Sequence, residues 1–164
     1  MPLAGASKDL ASVFGVEFTN GFVIDTLKWD LNEFKKEDST LQDHATISKS
    51  VNSVSTYFGQ GFEISNDSLA PLLKFKGHNT VNYLPQKAWE FHENTITQPA
   101  TDLLQGAVGL YGKGKIVVLG DSSLLSAYLI GKNKRKIGFN SESHPDNLPF
   151  VLNIFKWLSQ ESQE

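Results

Sequence analysis

Cysteine is absent from the 164-residue chain. That absence excludes disulfides, thiolate nucleophiles and cysteine-ligated zinc, and it leaves the redox compartment unmarked. Also missing is any apolar run approaching the ~20 residues that span a bilayer, so no transmembrane segment is expected. Residues 1–12 contain no basic stretch leading into an apolar one and do not read as a signal peptide. Positive charge is not in excess either, with a formal net charge of −3 and a pI of about 5.8. Electrostatics therefore gives no reason to expect nucleic acid or an anionic membrane as a partner. The densest basic run, Lys132-Asn133-Lys134-Arg135-Lys136, reads as a solvated turn rather than a patch. What the chain does have is 40% hydrophobic and 20% charged residues. That is enough for a core, and the length predicts one domain over residues 1–164.

Along the chain, Ser7 to Phe14 predicts a short helix with Ser7 as cap and Leu10, Val13 and Phe14 on one face. Asn20-Gly21 lies between Val16–Thr19 and Phe22–Asp25 and predicts a tight hairpin. Residues 26–50 are polar and read as an irregular excursion, anchored by Trp29, Leu31 and Phe34. Short strands are expected at Val54–Phe58, Phe62–Ile64, Leu72–Lys76 and Val81–Leu84, while Gln86 to Ala100 shows no clear period. Leu104–Tyr111 and Lys115–Leu119 flank Gly112-Lys113-Gly114 and predict an antiparallel hairpin. The unbroken apolar run Ile116-Val117-Val118-Leu119 reads as an interior strand buried on both faces. Gly120-Asp121-Ser122 is expected to turn directly into a helix over Ser123–Ile130, closed by Gly131. Asn147 to Gln160 predicts an amphipathic helix, capped by Asp146 or Asn147.

Several of these residues carry a resemblance. Tyr111-Gly112-Lys113-Gly114, the apolar strand, Gly120-Asp121, and then Asn153-Ile154-Phe155-Lys156-Trp157-Leu158 resemble the end of a class I glutamine amidotransferase-like domain. The resemblance is to an uncharacterised bacterial family, related in architecture to gliding-motility and intraflagellar-transport accessory domains. Ala11 to Asp25 and Leu84-Pro85-Gln86-Lys87-Ala88-Trp89 are similar to that family as well. The resemblance implies an α/β, flavodoxin-like fold with a mixed, mainly parallel sheet and flanking helices. It also implies that the N-terminal strand–helix units are missing, and that the full-length form is exported or envelope-associated. As given, the chain reads as cytoplasmic. Glutaminase members of the superfamily use a cysteine nucleophile at a strand-to-helix elbow. None is available here, so that role passes to no residue.

Gly120-Asp121-Ser122-Ser123-Leu124 is similar to the GDSL hydrolase motif. A serine at that elbow would lie beside free backbone donors for an oxyanion. Ser122 is then the candidate nucleophile and His144 the candidate base, with Asp121 or Asp146 orienting it. Against this, the motif lies late in the chain, and Ser122 or Ser123 at a helix start also serves as a plain cap, with Asp121 favoured by the helix dipole. His44, His78, His92 and His144 lack metal-ligand spacing, so neither metal nor cofactor is expected. Gly106-Ala107-Val108-Gly109 and Gly112-Lys113-Gly114-Lys115 lack the context of a phosphate loop and read as close packing and a turn. Trp157 fits the core, whereas Trp29 and Trp89 remain open as anchors or sugar-stacking platforms. The leading expectation is a non-catalytic binding or assembly module that forms a homo-oligomer or pairs with an upstream segment. The alternatives are a serine esterase using Ser122 and a binder of sugars or small metabolites.

Overall fold

The computed structural model describes residues 8–28, 30–65, 67–83 and 92–160. The Ser7 cap, Trp29 and the 84–89 motif with Trp89 lie outside the described residues. Two α-helices, α1 (Lys8–Val13) and α2 (Asn147–Ser159), bracket twelve strands. The strands are β1 (Val16–Phe18), β2 (Gly21–Asp25), β3 (Leu31–Lys35), β4 (Ser53–Tyr57), β5 (Phe62–Ile64) and β6 (Leu69–Lys74). They continue with β7 (Asn79–Tyr83), β8 (Thr97–Pro99), β9 (Leu104–Tyr111), β10 (Gly114–Leu119), β11 (Ala127–Ile130) and β12 (Arg135–Gly138).

Every strand pairing is antiparallel. The central strand, β9, pairs with β10 and also with β5 and β6, and β5 continues to β1. This sheet curls into a half-barrel. Smaller sheets, β2-β7-β8, β3-β4 and β11-β12, complete the architecture. Close approach of β6 to β9 requires glycine at one point: a Cβ on Gly109 would sit 2.0 Å from the Ser68 carbonyl oxygen.

The expected parallel α/β fold is therefore corrected, and with it the amidotransferase-like, flavodoxin-like assignment. Strand accounts for 40% of the described residues and helix for 15%, too little helix to flank a parallel sheet. The β9–β10 hairpin forms in register from Gly114↔Tyr111 to Leu119↔Gly106. Yet β10 is the last strand of its sheet, not an interior one. Its apolar run has another cause. Val117 and Leu119 pack on the larger core, with Val54, Leu72 and Phe150, while Ile116 and Val118 pack on a second core around Phe62 and Ala107. A strand covered on both faces needs apolar residues at every position, whatever the direction of its neighbours.

Two further expectations change. β1 and β2 flank Asn20-Gly21 but do not pair; β1 joins β5 and β2 joins β7. Contacts to residues 59–61 pull the two strands apart: Thr19 N–H donates to the Gly61 carbonyl at 2.9 Å and Val23 N–H to the Gly59 carbonyl at 2.8 Å. After β10 the expected helix is a single 3-10 turn, Ser123–Leu125, and the chain then runs extended as β11. A short apolar stretch such as Ala-Tyr-Leu-Ile suits either state, and pairing with β12 decides it. Gly131, at φ 67, opens the β11–β12 turn instead of closing a helix. The basic run occupies that turn and the start of β12. Within the polar stretch 26–50, β3 is regular and pairs with β4 from Leu31↔Tyr57 to Lys35↔Ser53. α2 forms over the expected residues, but neither expected cap is made: the Asp146 carboxylate accepts the Asn52 and Ser53 N–H groups, and the Asn147 side chain bonds Ser55 and Gly138.

Candidate functional site

Asp121 lies directly after β10 and is buried. One carboxylate oxygen accepts the Tyr57 N–H at 2.9 Å and the other the Ser123 N–H at 2.9 Å. The Ser123 hydroxyl also donates to Asp121. Burial pushes the Asp121 carboxyl up from its ordinary value, and the bonds from Ser123 and Tyr57 pull it partly back. The group is thus the tie between the β10 turn and β4. Ser122 is exposed, and its side chain makes no capping hydrogen bond. Its carbonyl accepts Leu125 N–H at 3.1 Å and the Ser126 hydroxyl at 3.2 Å. Asp121, not a serine, caps the turn.

His144 lies between two other groups. Its Nε2 is 3.2 Å from Glu33 Oε1 on β3, and its Nδ1 is 3.0 Å from Ser143 Oγ. Ser141 Oγ stands 3.2 Å from Ser143 Oγ. The His144 and Glu33 side chains are 12% and 15% exposed, whereas Ser143 is open to solvent. Burial alone would raise the Glu33 carboxyl, but hydrogen bonds and charge from Lys28, then Lys35 and His144, outweigh it and lower it to about 2. Glu33 is therefore an anion at neutral pH. Because an ionised carboxylate only accepts, a hydrogen bond across this contact places a proton on Nε2, and in that tautomer Nδ1 accepts from Ser143. Of the sequence-derived trio, the structure ties Asp121 to Ser123 and Tyr57, and His144 to Ser143 and Glu33. Sequence reading missed Glu33 and Ser143 in these roles. Ser143-His144 was visible as a neighbouring pair, but Glu33 lies 111 residues away and had no local signal.

The remaining histidines do separate work. His78 Nε2 is 3.3 Å from Asp25 Oδ2, and Asp25 also accepts the Leu27 and Lys28 N–H groups at 2.8 and 3.2 Å. His92 is exposed. Among the described residues, no three His, Asp or Glu side chains gather in a metal-binding group. His44 Nδ1 accepts the Thr46 and Ile47 N–H groups at 3.2 and 3.0 Å, and the ring packs edge-on against Trp157, 5.2 Å away. Trp157 itself packs on the larger core.

Burial pulls His44 below its ordinary 6.5, and protonating Nδ1 would abolish both of its acceptor bonds. The unfolded chain therefore takes up this proton at higher pH than the folded chain does. Stability is full above 6.5 and falls as pH drops from there through the folded value. The expected result is an acid-side loss of stability across that window that is absent from His44→Asn, measured by urea denaturation at a series of pH values. Parallel curves for the two proteins would refute it.

These features define a mainly antiparallel β protein with two polar clusters at its loops. No protein-family model, curated protein or solved structure matches the chain.

Proposed function

We propose that this chain is a binding or assembly module that associates with a second copy of itself through the outer face of α2. One observation carries the reading. α2 is apolar on two faces. Phe150, Val151 and Ile154 are buried in the core, whereas Leu148, Leu152 and Phe155, spaced i, i+4, i+7, are 43%, 58% and 57% exposed. A surface helix ordinarily presents one apolar face. A second stripe of large side chains is uncovered surface in search of a partner. Covering the exposed parts of three such side chains stabilises a complex by about 3 kcal/mol per copy.

Among the described residues no strand pairs with the outer edge of β10, which adjoins this face. Lys115 on β10 donates from Nζ to the carbonyls of Trp157 and Gln160 at 3.1 and 2.7 Å, fixing the end of α2 beside the strand. Ile116 to Leu119 contains no charge, proline or bulge, the devices that normally protect a sheet edge. Among the described residues, no helix is long and apolar enough to cross a membrane.

The expected result is a concentration-dependent dimer by sedimentation velocity. Leu152→Glu combined with Phe155→Lys preserves net charge, leaves the core side of α2 intact and yields a monomer at every concentration. A wild-type protein that stays monomeric into the high micromolar range would end this reading.

A further inference from the structure

We propose that Ser143 is a nucleophilic serine, with His144 as its base and Glu33 as the positioning residue that holds the imidazole. The inference goes beyond the assembly reading and does not depend on it. Its basis is the continuous path from hydroxyl to imidazole to carboxylate: Ser143 Oγ to His144 Nδ1 at 3.0 Å, then His144 Nε2 to Glu33 Oε1 at 3.2 Å. A hydroxyl is a poor nucleophile unless a neighbouring base removes its proton as it attacks. Here Glu33 selects the tautomer required: the proton on Nε2 faces its carboxylate, and Nδ1 is the nitrogen turned to Ser143. Ser141 completes the orientation. It is buried, and its hydroxyl lies 3.2 Å from Ser143 Oγ, so it can donate to Ser143 when the Ser143 proton is turned to Nδ1.

Position supports the same role. The imidazole and the carboxylate are largely shielded, while the hydroxyl faces solvent, so a substrate reaches the nucleophile but water is kept from most of the relay. Pro145 follows His144 and the Asp146 carboxylate accepts the Asn52 and Ser53 N–H groups at 2.7 and 3.2 Å, which fixes the segment against the start of β4. Glu33 stands on β3, a paired strand rather than a loop, and is held further by ion pairs to Lys28 and Lys35.

The substrate class is a small carboxylic ester with a good leaving group, because the hydroxyl stands exposed beside its base. In the reaction, the bond from Ser143 Oγ to the acyl carbon forms and the bond from that carbon to the leaving oxygen breaks. The Oγ proton passes to Nδ1 and from there to the leaving oxygen. Water then attacks the acyl-serine by the same route, returning free Ser143 and a carboxylic acid. No oxidant or reductant is needed.

The test uses the intact chain with 4-nitrophenyl acetate for turnover and a fluorophosphonate probe for mapping by mass spectrometry. The probe's phosphorus–fluorine bond breaks as phosphorus bonds Oγ, and fluoride leaves. Expected results are labelling at Ser143, none in Ser143→Ala, and labelling slowed about 100-fold in His144→Asn. Ser122→Ala labels like wild type. Glu33→Gln shifts the pH profile of labelling toward acid, since an imidazole without its carboxylate partner is less basic, an effect that a purely structural role would not produce. Circular dichroism confirms that each variant is folded. Labelling at Ser122, labelling spread evenly over other serines, or labelling of Ser143 indifferent to His144→Asn would each overturn the proposal.

Discussion

Asp121→Ala lowers the free energy of unfolding by about 3 kcal/mol, whereas Ser122→Ala, one residue along, changes it by less than about 0.5 kcal/mol. The contrast follows from where each side chain points. Alanine at 121 leaves the buried Ser123 N–H without its acceptor at 2.9 Å, takes the acceptor from the Ser123 hydroxyl, and leaves Tyr57 N–H only its longer bond to Ser123 Oγ at 3.1 Å. Each buried donor left unpaired costs about 1–3 kcal/mol. Ser122 is exposed and contributes to the turn only through its carbonyl, which alanine keeps. Asp121→Asn separates charge from shape. It retains one acceptor but turns an amide toward a donor, so it is intermediate. The pH dependence is distinctive as well. Because burial raises the Asp121 carboxyl above its ordinary 3.8, the folded chain holds a proton that the unfolded chain has released. Its contribution is full below 3.8 and is lost as pH rises through the folded value. Wild type therefore gains on Asp121→Asn as pH falls through that range. Urea denaturation of the three variants from acid to neutral pH measures all of this. A Ser122→Ala loss as large as that of Asp121→Ala would show that the turn is held otherwise.

The same segment shows what could be read from the sequence and what could not. Gly120-Asp121 announces a turn after an apolar strand, and both exist. The strand's antiparallel pairing with β9 was legible from the Gly112-Lys113-Gly114 turn and forms, but its place at the sheet edge was not, because packing on both faces erases the alternation that marks an ordinary antiparallel strand. α2 was legible as a helix because Leu148, Val151, Leu152, Phe155 and Leu158 keep helical spacing over its length, but not which side faces the core: of these five only Val151 is buried, beside Phe150 and Ile154. Ser123 to Ile130 was not, since eight residues are too few for period to separate helix from strand. Asn20-Gly21 misled for a different reason. Turn chemistry favours a local hairpin, but the hydrogen bonds of Thr19 and Val23 to residues 59–61 outweigh that preference. The Ser143–His144–Glu33 relay illustrates the general limit. Adjacent residues can be seen as a pair, whereas a partner supplied by a distant strand becomes visible only once β3 is placed.

Asn147→Ala is the other large loss expected, about 3–4 kcal/mol, or a fall in Tm of about 6–16 °C. Sequence reading offered Asn147 only as a helix cap. The structure gives it a larger task. Its side chain is fully buried and imitates a strand. The amide oxygen accepts Ser55 N–H at 2.9 Å, while the amide nitrogen donates to the Ser55 carbonyl at 3.1 Å and to the Gly138 carbonyl at 2.9 Å. One residue therefore satisfies the free edge of β4 and joins it to β12 and α2. Gly138 is constrained by the same junction. At φ 86, a Cβ there would lie 2.0 Å from the Ser126 carbonyl oxygen. Asn147→Asp does not rescue, because a carboxylate accepts from Ser55 but faces two carbonyls with no proton to give, and a buried charge without a partner costs about 3–5 kcal/mol. Equilibrium urea unfolding provides the measurement, with the midpoint lowered and the slope unchanged. If Asn147→Ala stays within about 1 kcal/mol of wild type, α2 is held by its apolar contacts alone. If the loss is full, this one amide seats α2 on the β sheets, and with it the outward stripe of Leu148, Leu152 and Phe155. Assembly and stability would then fail together in Asn147→Ala and separately in the Leu152→Glu, Phe155→Lys pair.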